Sequence, residues 1–320
     1  MALGEFELIA KYFSRPVARR DVLLGVGDDA ALLEVPAGQV LVAATDTLVE
    51  GRHFLPGAPP ESVGHQALAV NLSDLAAMGA APAWALLSLS LPSSEPAWLE
   101  GFARGLHALA ERTGVALVGG DTVRGPRVIT MQVLGLVPAA LALRRAGARP
   151  GDGVYVSGTL GDAAAGLELL RGAGGGASDA DSPLVRRYQF AEPRLELGIA
   201  LRAIAGAAMD VSDGLLGDLG KLCAASGVGA LVQLERLPLS AALVARFDAA
   251  TTERLALGGG DDYELVFTVP PSAKRRLETA LADGVSITRI GEIVSGNGVR
   301  CLRDGRPVDA EIAGYDHFAG

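Results

Sequence analysis

Short β-rich runs alternate with helix-length apolar patterns along almost the entire chain, and this alternation restricts the fold more than any other property of the sequence. Residues 40–49 read as a strand ending in polar Thr45-Asp46-Thr47, residues 60–78 carry apolar side chains at helical spacing, and 83–91 read as a strand. A helix over 95–112 is entered through Ser93, Ser94 and Pro96 and closed by Gly114; strands at 115–118 and 128–137 follow. Pro138 and the Ala/Leu/Arg run beyond it mark a junction. A second series opens at Gly151-Asp152-Gly153: strand 154–157, a Gly-rich turn, a helix over 162–170, and a loop at Gly172-Ala-Gly-Gly-Gly-Ala177. Strand 207–211 then meets helix 213–225, with strands at 230–234 and 263–269, a helix at 273–281 and terminal strands at 287–294 and 299–302. No fixed-period repeat is present. The expectation is an α/β (α+β) protein of two domains, 1–140 and 141–320, since 320 residues exceed what one core ordinarily organises.

Composition removes several function classes. The chain is 49% hydrophobic, yet no stretch approaches the roughly 20 uninterrupted apolar residues of a membrane helix. Acids near Met1, at Glu5 and Glu7, stand where a secretory signal carries basic residues, so a cytoplasmic location is expected. Cys223 and Cys301 have no metal-ligand spacing and read as buried thiols. Net charge is −9 and the arginines are scattered, which argues against an extended nucleic-acid surface. An acidic protein that handles phosphates needs something between two sets of negative oxygens, and divalent cations do this.

Nine acids recur after apolar strands or beside glycines: Asp28 and Asp29, Asp46, Asp74, Asp121, Asp210 and Asp213, and Asp261 and Asp262. Each alone has an ordinary reading. Asp28 and Asp29 suit a tight turn, Asp46 and Asp121 suit loop starts, and Ser212 or Asp213 suits a helix N-cap. Asp74 is different, because it lies inside an Ala/Leu-rich helical pattern where an unpartnered carboxylate is costly. Taken together, hard oxygen ligands at strand ends and helix starts point to Mg²⁺-assisted phosphate chemistry.

There is no Gly-x-x-x-x-Gly-Lys-[Ser/Thr] sequence, only three lysines (Lys11, Lys221, Lys274) and no complete kinase signature set. Two glycine turns, Gly158-Thr-Leu-Gly161 and Gly119-Gly120, remain as candidate phosphate contacts through backbone N–H groups. Ser157-Gly158 lacks a nucleophile frame. His65 and His107 fall in helical patterns and read as surface or packing residues, whereas His53, just after the Asp46 strand, is the better candidate for touching substrate.

Seven motifs occur in order: Gly27-Asp-Asp-Ala-Ala31, Thr45-Asp-Thr-Leu-Val-Glu-Gly-Arg-His-Phe54, Asn71-Leu-Ser-Asp-Leu-Ala-Ala-Met-Gly79, Gly119-Gly-Asp-Thr122, Ser157-Gly-Thr-Leu-Gly-Asp162, Asp210-Val-Ser-Asp-Gly-Leu215 and Gly260-Asp-Asp-Tyr-Glu-Leu265. Together they resemble the thiamine-monophosphate kinase family, related to aminoimidazole-ribonucleotide synthetase, selenophosphate synthetase and a hydrogenase-maturation protein. The resemblance runs from Gly4-Glu-Phe to Gly314-Tyr-Asp-His-Phe318. It implies a homodimer formed through N-terminal strands, with ATP and thiamine monophosphate meeting in a cleft between the domains. It also implies Mg²⁺ ligation by Asp29, Asp46, Asp74, Asp121 and Asp210 with Thr45 and Asp213 assisting. Gly120, Asp121, Arg145 and Ser212 would contact ATP, and His53, Asp261 and Tyr315 would contact thiamine monophosphate. Asp46, Asp74, Asp121 and Asp210 are the implied catalytic set. Two positions depart from the family pattern: Ala44 replaces a common Ser, and Asp261 replaces the usual, longer Glu.

The acceptor phosphate is itself an anionic nucleophile, so the implied reaction is direct in-line transfer without an obligatory base or a phosphoenzyme. Aminoimidazole-ribonucleotide synthetase-like chemistry, a metal phosphatase and a non-catalytic nucleotide-binding regulator stay open at this point. Selenophosphate synthetase-like chemistry is disfavoured, because no Cys precedes Cys223.

Overall fold

The structure is a computed structural model that describes residues 4–15, 19–172, 182–280 and 285–309. Much of the 172–177 loop, and the terminal motif with Tyr315, lie outside the described residues. The chain divides into two compact units, Met1–Leu75 with Ala80–Ala140, and Ala76–Gly79 with Leu141–Gly320.

The first unit begins with α1 (Glu5–Leu8), a π-turn at Ile9–Phe13 and two short strands, β1 (Val22–Leu24) and β2 (Leu32–Leu33), which pair antiparallel. Then come β3 (Gln39–Val49), α2 (Pro60–Ala77), β4 (Ala81–Leu91), α3 (Pro96–Thr113), β5 (Ala116–Arg124) and β6 (Val128–Pro138). Strands β3 to β6 form one sheet in the order β3-β6-β4-β5, with β4 parallel to β5 and the other pairs antiparallel. Helix α2 is buried on nearly every side from Ser62 to Ala77, with Asp74 and the first turn less so. Its uniform Ala/Leu/Val content is that of a helix packed all round rather than one with a wet face. Helix α3 ends as its sequence requires, on Gly114 in a left-handed C-cap.

The second unit contains β7 (Gly153–Ser157), α4 (Asp162–Arg171), α5 (Pro183–Gln189), α6 (Leu195–Ala200), β8 (Ala207–Val211), α7 (Leu215–Ser226), β9 (Gly229–Gln233), α8 (Ala241–Arg246), α9 (Ala249–Gly258), β10 (Glu264–Val269), α10 (Lys274–Ala280), β11 (Ile287–Val294), β12 (Gly298–Arg303) and β13 (Arg306–Val308). Seven of these strands make one sheet, β13-β12-β9-β11-β7-β10-β8. Every residue of β7, β8 and β10 is buried, so both faces at that end of the sheet are covered, which is why these strands read as continuous apolar runs rather than alternating ones. One core cluster joins these strands to Leu215, Leu219, Leu222 and Cys223 of α7, and a smaller one gathers α4, α5, α8 and α9 around Leu169, Leu184, Leu243 and Leu255. Both cysteines are buried free thiols.

Mixed α/β architecture therefore holds in both units. Several boundaries move, and two bear on the site. Strand β5 runs on to Arg124, so Asp121 lies within a strand rather than at a loop start; Asp46 likewise lies inside β3. Helix α7 starts at Leu215 with Gly214 as its N-cap and no side-chain cap, so neither Ser212 nor Asp213 plays the capping role.

Candidate active site

In the first unit, sheet register decides which candidates are neighbours. Asp46 on β3 shares a lateral row with Met131, Leu87 and Gly120, and the adjacent row contains Thr47, Thr130, Ser88 and Asp121. Asp46 and Asp121 are both exposed. The Asp46 N–H donates to Asn71 Oδ1 of α2 at 2.9 Å, and Asn71 Nδ2 donates to the Ala67 carbonyl at 3.0 Å, which locks helix to strand one turn before Asp74. Helix α2 does not break at Asp74. The Thr45 hydroxyl donates to the Met131 carbonyl at 2.9 Å, so its proton is committed and its lone pairs alone are available to a cation. Asp28 accepts the Asp29 N–H at 2.8 Å, a turn contact that leaves the Asp29 carboxylate exposed.

Gly120 has φ 151°, and a Cβ built there would stand 1.9 Å from the Leu87 carbonyl oxygen. Only glycine lets β4 and β5 pair at this point. His53 sits in the turn after β3, where its Nδ1 accepts the Val49 N–H at 3.0 Å. In that bond Nδ1 is the acceptor and carries no proton. His107 is a packing residue, as its sequence position suggests: Nε2 lies 2.8 Å from the Tyr12 carbonyl, and burial lowers its pKa.

The second unit knits three motifs from distant parts of the chain together. The Asp261 N–H donates to the Ser212 carbonyl and the Tyr263 N–H to the Val211 carbonyl, both at 2.9 Å, which joins the Asp210 and Asp261 motifs. Asp262, fully buried, accepts from Gly161 N–H at 2.7 Å and Ala163 N–H at 3.3 Å, which joins them to the Gly158 turn. Burial pushes the Asp262 carboxyl up to about 8 against those two donors. Asp261 and Tyr263 both adopt left-handed backbone, φ 66° and 50°. Two such non-glycine residues in one short loop are strained and persist only where surrounding bonds hold them. The Asp261 carboxyl accepts from the Tyr263 hydroxyl at 3.2 Å, and burial pushes its pKa up to about 6.

Beneath the loop, Glu264 is fully buried and is gripped by Arg187 and Arg194, the latter also through Nε at 2.6 Å, while Ser157 donates to it at 2.5 Å. Arg187 also donates to the Asp262 carbonyl at 2.7 Å. Another buried carboxylate, Asp218 on α7, accepts the Ser212 and Asp213 N–H groups, each at 2.9 Å. Lys221 bridges Asp218 at 2.9 Å and Asp213 at 2.5 Å. Asp210, at the end of β8, is buried.

In the Gly158-to-Gly161 turn, the N–H groups of Gly158, Leu160 and Gly161 go to the Ser286 carbonyl, the Pro238 carbonyl and Asp262 respectively. Three of the turn's four donors are used inside the fold, so it is not a free phosphate cradle. Among the described residues no group of three or more His, Cys, Asp or Glu side chains forms a ready-made metal cage.

The model for AIR synthase related protein, N-terminal domain, matches residues 27–137, and that for the C-terminal domain matches 149–303. Thiamine-monophosphate kinase of Salmonella typhimurium is 49% identical over 323 residues, covering 100% of this chain and 99% of the relative. The chain belongs to the thiamine-monophosphate kinase family. A crystal structure of thiamine-monophosphate kinase from Stenotrophomonas maltophilia superposes with TM-score 0.85 at 45% identity, over 96% of this chain and 99% of that one. AaThiL complexed with AMPPCP and TMP superposes with TM-score 0.77 at 35% identity, covering 89% of each chain.

The motifs mark segments on β3, β5, β8 and the 258–263 loop, but the sequence gives no sign of the bonds by which other side chains hold those segments in place. Arg187, Arg194, Asp218, Lys221 and Asn71 each act on a motif from elsewhere on the chain or from a neighbouring turn. Their signal, a lone charge inside an apolar helix, was present for Asp218, which stands among Leu215, Leu219 and Leu222.

Proposed function

We propose that this chain transfers the γ-phosphoryl group of ATP to the phosphate of thiamine monophosphate, giving thiamine diphosphate and ADP. The observation that carries this is identity of 49% across the full length of a thiamine-monophosphate kinase. A relative of the same fold complexed with AMPPCP and TMP, 35% identical, supports it; AMPPCP is an ATP analogue with a methylene at the bond that would break.

An acceptor phosphate oxygen attacks the γ-phosphorus in line as the bond to the β–γ bridging oxygen breaks, and ADP leaves. The acceptor is already ionised at neutral pH, so the chain's work is orientation and charge neutralisation rather than proton removal. Asp29, Thr45, Asp46, Asp74, Asp121, Asp210 and Asp213 are proposed as Mg²⁺ ligands. The donor set suits that ion: oxygen atoms only, exposed at Asp29, Asp46 and Asp121, with no closed cage, as befits a metal that keeps waters and substrate phosphate oxygens. When bound, Mg²⁺ supplies neutralisation of the phosphate charge. Gly120, Asp121, Arg145 and Ser212 contact ATP; His53 and Asp261 contact thiamine monophosphate, as does Tyr315 in the terminal motif.

Residues 1–140 serve as the ATP/Mg²⁺ and dimerisation domain, and 141–320 complete the nucleotide and substrate site. A homodimer through N-terminal strands draws support from the exposed apolar side chains Val40 and Leu41 on the edge strand β3 and Leu23 and Leu32 on β1 and β2. A cytoplasmic setting belongs to this reading. Among the described residues no helix is long and apolar enough to cross a membrane.

Purified protein, ATP, Mg²⁺ and thiamine monophosphate should yield thiamine diphosphate by chromatography, and chelation of the metal should stop the reaction. Absence of product, with turnover of an aminoimidazole precursor instead, overturns the assignment.

A further inference from the structure

Arg145 presents an unusual combination: a free head on a fixed backbone. Its side chain is exposed and makes no ion pair with any described residue. The Arg144–Ala148 stretch of the β6–β7 connection that carries it is nevertheless held at several points. Ser226, the last residue of α7, donates from its hydroxyl to the Arg145 carbonyl at 2.9 Å and accepts the N–H groups of Gly147 at 3.1 Å and Ala148 at 3.2 Å. A single hydroxyl thus satisfies three backbone groups of one short loop. On the other side, the Ala208 N–H of β8 donates to the Arg144 carbonyl at 2.9 Å. Gly147 has φ 132°, and a Cβ there would stand 2.4 Å from the Gly206 carbonyl oxygen. This stretch is pressed against the start of β8, the strand that contains Asp210.

A surface arginine needs none of this restraint to be soluble. Fixing the backbone under a long charged side chain has a use where an anion must be met in one geometry, because ordering cost is then removed before the ligand arrives. We propose that Ser226 is a positioning residue for ATP binding, acting through Arg145; this rests on the reading of Arg145 as an ATP contact. Helix α7 would then serve nucleotide recognition from both ends, with Asp218 holding the Ser212 and Asp213 N–H groups near its start.

The test is a double-mutant cycle with Ser226→Ala, Arg145→Ala and the double variant, plus Ser226→Thr, which keeps the hydroxyl. Ser226→Ala should raise KM for ATP about fivefold, the size of one net hydrogen bond, and leave KM for thiamine monophosphate unchanged. Ser226→Thr should restore KM for ATP, and Ser226→Ala should add nothing in the Arg145→Ala background. Equal losses in both backgrounds mean that Ser226 acts by another route and overturn the proposal. So does a normal KM for ATP in Ser226→Ala alongside a raised one in Arg145→Ala. If Arg145→Ala itself binds ATP normally, the reading of Arg145 falls, and the proposal with it.

Discussion

Asp262 shows how one residue can be misread from its neighbours. Adjacent to Asp261 in a glycine-rich stretch, it looks like a second ligand, yet it points inward and joins the Gly158 turn to the start of α4. Its folded carboxyl keeps its proton up to about pH 8, whereas the unfolded one releases it near 3.8. The folded state therefore binds the extra proton between those values, and stability falls as pH rises through that window and levels off above it. Melting temperature measured from pH 6 to 9 should decline in the wild type and decline less in Asp262→Asn. Parallel curves would mean that Asp262 is ionised in the fold. The window above pH 6 is chosen because Asp261, raised to about 6, contributes in the same direction below it.

At the scale of elements, the loop between α9 and β10 is held by the first residue of the strand it feeds. Glu264 neutralises Arg187 and Arg194, and Arg187 reaches up to the Asp262 carbonyl, so the ion cluster and the two left-handed residues belong to one construction. Removing the central charge leaves two largely buried guanidinium groups uncompensated. Glu264→Gln should cost about 3–5 kcal/mol in denaturant unfolding, the range for breaking a buried pair from one side. A loss below about 1 kcal/mol would mean that the arginines relax to solvent and that the loop is held elsewhere. Helix α7 has a comparable role through Asp218, which explains why a carboxylate occupies the apolar face of that helix.

At the scale of the whole molecule, the edge strand β3 leaves Val40 and Leu41 exposed, 41% and 46%, in an element whose far end carries Thr45 and Asp46. If copies associate through these strands, Leu41→Glu should shift the protein from dimer to monomer in size-exclusion chromatography with light scattering. An unchanged mass would place the interface elsewhere. Because β3 carries both the apolar patch and two proposed metal ligands, the monomeric variant should also lose activity.

Much of the architecture could be read without coordinates. Apolar composition bounded by turn and cap residues locates β3, α2, β4, α3, β6, β7, β8 and β11 within a few residues; β7, β8 and most of α2 are buried on every side and so read as unbroken apolar runs. The glycine- and aspartate-rich motifs marked the 210–214 and 258–263 segments as special, since carboxylates after apolar strands have few structural uses. Tertiary structure alone decided which of those acids face inward, that Asp121 lies within a strand, that the Gly158 turn spends its N–H groups inside the fold, and that Ser226 and Glu264 hold segments dozens of residues away. Such contacts are hydrogen bonds between partners 81 residues apart for Ser226 and Arg145, and 70 or more for Glu264 and its arginines. Periodicity reports what a residue does to its own element; a long-range bond leaves no local mark, and exists only once the sheet has brought its two ends together.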